Sequence, residues 1–133
     1  MRVCLALTLA LAASHTVWAQ DRVVLKRGRF AGRITITGEI DDFTGSEIRV
    51  RAPQADVVRT YPAAEVVSVE TQETAAHDRA LKLLGENRVD EAIGEFEAAL
   101  HDESRTWVRR EILAQLVRCA LRRGDYPSAK ARF

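Results

Sequence analysis

The stretch NRVDEAIGEFEAAL, residues 87–100, sets the expectation for the C-terminal half of the chain. Its apolar residues recur at spacings of three and four, which places them on one face of a helix. Asn87 tolerates the left-handed backbone conformation that ends a preceding helix. The stretch therefore predicts a break at residues 85–87 between two amphipathic helices, the first of which begins near Thr74.

The same arrangement returns in GDYPSAKARF, residues 124–133. When the two breaks are aligned, four pairs of positions share an offset of 37 residues: Asn87 with Gly124, Val89 with Tyr126, Ala92 with Ala129, and Phe96 with Phe133. A constant offset over several positions indicates an internal repeat. We therefore expect α-α hairpins over residues 74–133.

The residue types at these positions resemble the tetratricopeptide repeat (TPR), of the type found in exported bacterial proteins. That unit has Gly or Asn at its turn, a small Ala where its two helices approach, and an aromatic residue four positions later. The resemblance implies repeat-packing roles for Val89, Ala92, Phe96, Ala99, Tyr126, Ala129 and Phe133. Departures are Ala76, where a large aromatic is usual, and Ser104, where proline is common. The offset also exceeds the usual ~34 residues.

TPR arrays generally hold peptides or partner helices in a concave groove. The resemblance implies a groove formed by the first helix of each hairpin, with four candidate groove residues: Arg79, Lys82, Arg109 and Gln115. About three such units are needed for stability. Because the sequence holds one complete hairpin and most of a second, we expect a truncated array, or a last helix that leans on the N-terminal segment or on another copy.

Between residues 20 and 71 the apolar period changes to two, which predicts short β-strands. The expected strands are 23–26, 30–37, 47–52, 57–61 and 66–70, with a turn at 27–29, loops at 41–46 and 53–56, and a helical turn at 62–65. Gly32 predicts a bend in the second strand. The pattern resembles SH3-like or Sm-like small barrels, and closure would remove exposed strand edges. The expected fold class is α+β, with a closed five-stranded barrel before the hairpins.

Residues 1–19 have the layout of a secretory signal peptide: Arg2, an apolar run at 3–13, and small or apolar Val17 and Ala19 before cleavage at Gln20. The run is shorter than the roughly 20 residues that span a bilayer. We therefore expect a periplasmic or extracellular protein without an integral membrane span after cleavage. Cys119 is then the sole cysteine, which precludes an internal disulfide.

The charge of residues 20–133 is balanced, with 19 basic and 19 acidic side chains, and gives no support to a nucleic-acid partner. His77 and His101 lack metal-ligand spacing, and no phosphate-binding loop or G-x-S-x-G elbow occurs. His77 and Asp78 are interpreted as exposed polar positions, because adjacent residues on a helix do not face each other. We expect no catalytic, cofactor-binding or metal-binding residues.

The leading hypothesis is a non-enzymatic interaction or scaffold protein of the cell envelope that binds a protein or peptide partner through a TPR-type groove. An alternative is the N-terminal docking region of a longer exported enzyme whose catalytic domain lies beyond residue 133. A third is an envelope module that associates with itself.

Overall fold

The computed structural model describes residues 20–27, 32–55 and 57–133, with Arg27 described for its backbone alone. The predicted signal peptide at 1–19 and most of the predicted turn at 27–29 lie outside these residues. Five strands come first, followed by four helices, so the α+β class is confirmed. The strands are β1 Asp21–Arg27, β2 Gly32–Phe43, β3 Glu47–Arg51, β4 Val58–Pro62 and β5 Val66–Glu70. A 3₁₀ turn at Ala63–Glu65 joins β4 to β5, at the predicted helical turn.

The strands form one antiparallel sheet in the order β4-β3-β2-β1-β5. The predicted closed barrel is wrong: among the described residues β4 and β5 are the two edges of an open sheet, and no ladder joins them. The chain passes from one edge to the other through Pro62 and the 3₁₀ turn. Proline has no backbone N–H to donate across a closing ladder.

The strand β2 is longer than predicted and has an irregularity in its pairing with β3. It continues to Phe43, so the first half of the predicted loop at 41–46 is strand instead. Its pairing with β3 shifts register between Ile40 and Asp42. Gly38 is the glycine that close packing requires, because a Cβ there would lie 2.3 Å from the carbonyl oxygen of Arg51 on β3.

The helices are α1 Ala75–Gly85, α2 Val89–Asp102, α3 Thr106–Arg122 and α4 Tyr126–Arg132. Successive helices pack on one another. The hydroxyl of Thr74 accepts a hydrogen bond from the His77 backbone N–H at 3.2 Å, and the Asp125 carboxylate accepts one from Ser128 at 3.1 Å. These caps satisfy backbone donors that the first turn of a helix leaves without a partner.

The turns at the ends of α1 and α3 have the same geometry at the offset of 37 residues. Asn87 has φ 60° and Gly124 has φ 72°, which confirms the left-handed conformation predicted for Asn87. The Arg88 N–H donates to the carbonyl of Leu83 at 2.9 Å, and its counterpart Asp125 donates to Ala120 at 2.9 Å. These are the hydrogen bonds of a Schellman motif, which satisfies the last carbonyls of a helix.

The sheet and the helices share one apolar core. Val23, Leu25 and Ile48 are buried on the sheet side, and Phe96 and Ile112 on the helical side. At the boundary, the rings of Phe43 on β2 and Trp107 on α3 lie 6.4 Å apart. Arg110 of α3 pairs with Asp42 and donates to the carbonyl of Phe43 at 3.1 Å. These contacts hold α3 against the middle of the sheet.

Candidate functional site

The four predicted groove residues lie on α1 and α3, and two of them have partners within the chain. Arg79 is exposed and forms an ion pair of 2.8 Å with Glu95 on α2. Arg109 donates from Nη1 to the carbonyl oxygens of Leu100 and Glu103, which caps the C-terminal end of α2. Lys82 is exposed and Gln115 is half-buried. No hydrogen bond or ion pair within the described part of the chain joins the pair on α1 to the pair on α3.

On α2, the residues predicted to pack between repeats are buried or half-buried. Ala92, Phe96 and Ala99 on α2 are fully buried, and Val89 is half-buried. The Phe96 ring meets the ring of His77 on α1 edge to face, with centroids 5.9 Å apart. Ala92 and Ala99 have small side chains, which allow α2 to approach its neighbours closely.

In the second hairpin, the equivalent positions are divided between core and solvent. Ala129 is buried as Ala92 is, but Tyr126 is 70% exposed and Phe133 is fully exposed. Tyr126 and Lys130 are spaced i and i+4 and lie on one side of α4, and Phe133 is the residue that follows the helix. We refer to these three residues as the α4 face. Lys130 is exposed and gives this apolar face a positive charge.

A polar cluster lies where the sheet meets the helices, centred on Arg105 in the loop between α2 and α3. Its guanidinium holds both carboxylate oxygens of Glu103, with Nε and Nη2 at 2.9 and 2.8 Å. It also donates to the Thr71 hydroxyl at 2.6 Å and to the carbonyl of Gln72 at 2.7 Å. The guanidinium carbon lies 5.6 Å from the centre of the Trp107 ring. Arg105 therefore joins the helices to the linker of residues 71–74 that follows β5.

Asp21, the first residue of β1, is buried and extends this cluster into the sheet. Its carboxylate accepts from the backbone N–H of Ile40 at 2.8 Å and from the Thr71 hydroxyl at 2.5 Å. The Arg105 guanidinium lies 3.9 Å away. Hydrogen bonds from Arg105 lower the pKa of Glu103, so that carboxylate stays ionised although its side chain is only 4% exposed.

Glu73, which is partly buried, and His77, which is buried, form a second pair beside the cluster. His77 Nδ1 lies 4.0 Å from Glu73 Oε2, and His77 is only 1% exposed. Neither ring nitrogen of His77 has a hydrogen-bond partner among the described residues. Burial raises the pKa of Glu73 to about 7, aided by hydrogen bonding and repulsion from Asp78, and burial lowers the pKa of His77. Glu73 therefore changes protonation near neutral pH.

An open cleft of about 1200 Å³ runs along this junction. Its charged lining residues are Asp21, Glu39, Arg51, Glu73, Glu103 and Arg105. Four of the six are acidic, so the cleft has a negative balance at neutral pH. Arg105 forms hydrogen bonds with Glu103 and with the linker, so these side chains stabilise the wall of the cleft.

The sequence prediction that His77 is an exposed polar position is wrong. Residue 77 lies one position after buried Ala76 and three before buried Ala80, so all three are on the inner side of α1. This spacing was the available signal. Arg105, by contrast, bonds to residues 33 and 34 positions away in the sequence, and no local pattern predicts such a pairing. Trp107 lies in the first turn of α3 and is buried.

Comparison with protein-family models, with curated proteins and with solved structures gives no match to this chain. Within residues 20–27, 32–55 and 57–133, no helix has the length and apolar character needed to cross a bilayer. The same residues contain no group of three or more His, Cys, Asp or Glu side chains arranged to hold a metal ion.

Proposed function

We propose that this chain is a non-enzymatic protein-interaction module, exported to the cell envelope, in which helical hairpins of TPR type dock a helix of a partner protein. The single observation that carries the proposal is the unequal covering of equivalent positions in the two hairpins. Val89 and Phe96 on α2 are half-buried and buried, whereas their counterparts, Tyr126 on α4 and Phe133 directly after it, are exposed.

The occupant of the α4 face follows from what packs on the first hairpin. There, α3 lies against α2 and turns an apolar side toward the core through Val108, Ile112 and Leu116. These residues have the i, i+4, i+8 spacing of an amphipathic helix. If the next repeat packs in the same way, an amphipathic helix lies against α4 as α3 lies against α2. Helix-in-groove binding of this kind is a common mode of peptide recognition.

Charge narrows the chemistry of that partner helix. Lys130 lies within the α4 face, and Arg122 ends α3 next to the turn that leads into it. Among the described residues, neither of these side chains has an ion-pair partner. Arg123 and Arg132 by contrast pair with Asp90 and Glu97 on α2. A helix with an apolar stripe flanked by glutamate or aspartate therefore fits the face better than a basic one.

A synthetic peptide tests the proposal directly. The probe has the 17 residues of α3, residues 106–122, with glutamate at each arginine position and a fluorescent label, and binding is followed by anisotropy. Tyr126→Ser should weaken binding at least about tenfold, because a buried aromatic side chain is a typical hot spot. Lys130→Glu should weaken binding of the acidic peptide and strengthen binding of a peptide with lysine at the same positions. Val67→Ser on β5 is the matched control, since Val67 is also an exposed apolar residue.

Two outcomes contradict the proposal. One is the absence of saturable binding at peptide concentrations of about 100 μM, which corresponds to a binding free energy weaker than about −5 kcal/mol. The other is concentration-dependent self-association of the wild type, measured by light scattering and abolished by Tyr126→Ser. That result would assign the α4 face to a second copy of this chain rather than to a different protein.

A further inference from the structure

The linker of residues 71–74 is the place where the sheet is fastened to the helices. Thr71 bonds to Asp21 on β1 and to Arg105, Gln72 accepts from Arg105 through its carbonyl, and Thr74 caps α1. Glu73 is the remaining linker residue, and its side chain is 24% exposed. Any change in the charge of Glu73 therefore acts at the point where the two halves of the fold join.

His77, in the first turn of α1, is buried and faces the carboxyl group of Glu73. Both ring nitrogens are buried and have no partner among the described residues, and an unpaired buried polar group is costly. Glu73 Oε2, at 4.0 Å from Nδ1, is the nearest carboxylate in an ion-pair arrangement with it. A small approach of the two side chains would give the imidazole a hydrogen bond.

We propose that Glu73 and His77 form a proton-sensitive latch between the sheet and the helices, which is tightest when the pair holds one proton. Loss of that proton on the alkaline side leaves a buried carboxylate, and uptake of a second proton on the acid side leaves a buried imidazolium. The first change favours movement of Glu73 toward solvent, and the second favours movement of His77 toward solvent. With a single proton, the pair is one neutral carboxyl beside a neutral imidazole, or one ion pair.

Charged groups on α1, on α3 and in the loop between α2 and α3 interact with the pair. They are Asp78 on α1, Glu111 on α3, and Glu103 and Arg105 in the loop between α2 and α3. Asp78 and Glu111 disfavour an ionised Glu73, whereas Arg105 favours it but is already held by Glu103. The same carboxylates favour protonation of His77, and burial opposes it. The pair therefore resists loss of its proton as the pH rises and uptake of a second proton as the pH falls.

The signs of the two linkages are opposite. The pKa of Glu73 is raised from its ordinary value of 4.5 to about 7, so its contribution to stability is fully present below pH 4.5 and is lost as the pH rises through 7. The pKa of His77 is lowered, so its contribution is present above its ordinary value of 6.5 and is lost as the pH falls below that value.

Urea unfolding of the full protein between pH 5 and 9 tests the latch. From pH 8 to 6.5, the unfolding equilibrium constant of the wild type should fall about fourfold more than that of Glu73→Gln, which is neutral throughout. In His77→Leu the fall continues, to about tenfold by pH 6, because the opposing titration is gone. Glu65→Gln removes an exposed carboxylate on the 3₁₀ turn and should keep the wild-type profile.

Hydrogen exchange locates the effect and separates it from global stability. Protection of the amides of residues 74–80, corrected for the intrinsic rate, should fall from pH 6.5 to 8.5 in the wild type and not in Glu73→Gln. If either variant fails to fold, the titration of the Glu73 carboxyl in the wild type is followed by carbon NMR instead. The expected midpoint of that titration is near pH 7. A midpoint below 5, or a Glu73→Gln profile equal to that of the wild type, would overturn the latch.

Discussion

Removal of the Arg105 guanidinium is the most informative perturbation of this fold, because that group connects the helices, the linker and the sheet. Arg105→Met keeps the length and apolar character of the side chain while it removes the charge. It deletes two hydrogen bonds to Glu103 and one each to Thr71 and the carbonyl of Gln72. Glu103 then remains buried without a counter-ion, with its side chain 4% exposed.

The expected loss of stability is about 3–5 kcal/mol at pH 7, the usual cost of stranding one partner of a buried ion pair. The matched control is Arg88→Met. Arg88 pairs with Glu86 and Glu91 at the surface, and its loss should cost less than about 1 kcal/mol. Urea unfolding followed by circular dichroism measures both changes.

Rescue and pH dependence distinguish the buried charge from lost packing. Glu103→Gln in the Arg105→Met background should recover part of the stability, because a neutral amide is cheaper to bury than a carboxylate. The lowered pKa of Glu103 contributes stability above its ordinary value of 4.5, and that contribution is lost as the pH falls through the folded value. The cost of Arg105→Met should therefore shrink at acid pH. A cost below 1 kcal/mol at pH 7, or no rescue, would refute this reasoning.

Three glycine substitutions test the backbone, and the reactivity of Cys119 tests the core. Gly94→Ala should stabilise the chain by about 0.5–1 kcal/mol in thermal unfolding, because Gly94 is exposed inside α2 and its added Cβ meets nothing within 4 Å. Gly124→Ala should instead destabilise it by about 1–2 kcal/mol, since φ is 72°. Gly38→Ala should cost about 1–3 kcal/mol, because its Cβ would lie 2.3 Å from the Arg51 carbonyl oxygen. Cys119 is buried and its pKa is raised by burial, so a thiol reagent at pH 8 should modify it at least tenfold more slowly in the native protein than in denaturant.

Local periodicity was sufficient to predict most elements of this fold. Alternation at period two indicated five strands, and spacings of three and four indicated the helices, because each element buries one face. The left-handed turn at Asn87 followed from its side chain and from the break in the apolar pattern. The burial of Ala92, Phe96 and Ala99 followed from the same stripe.

Only the tertiary structure determined how the sheet ends and what lies at its junction with the helices. A closed barrel and an open sheet require the same strands, and they differ in whether β4 and β5 meet, which depends on twist and on the path through Pro62. The cluster around Arg105 joins residues as far apart as Asp21 and Glu103. Such pairs depend on burial and on contacts across the whole chain, so a sequence pattern that records only near neighbours cannot contain them.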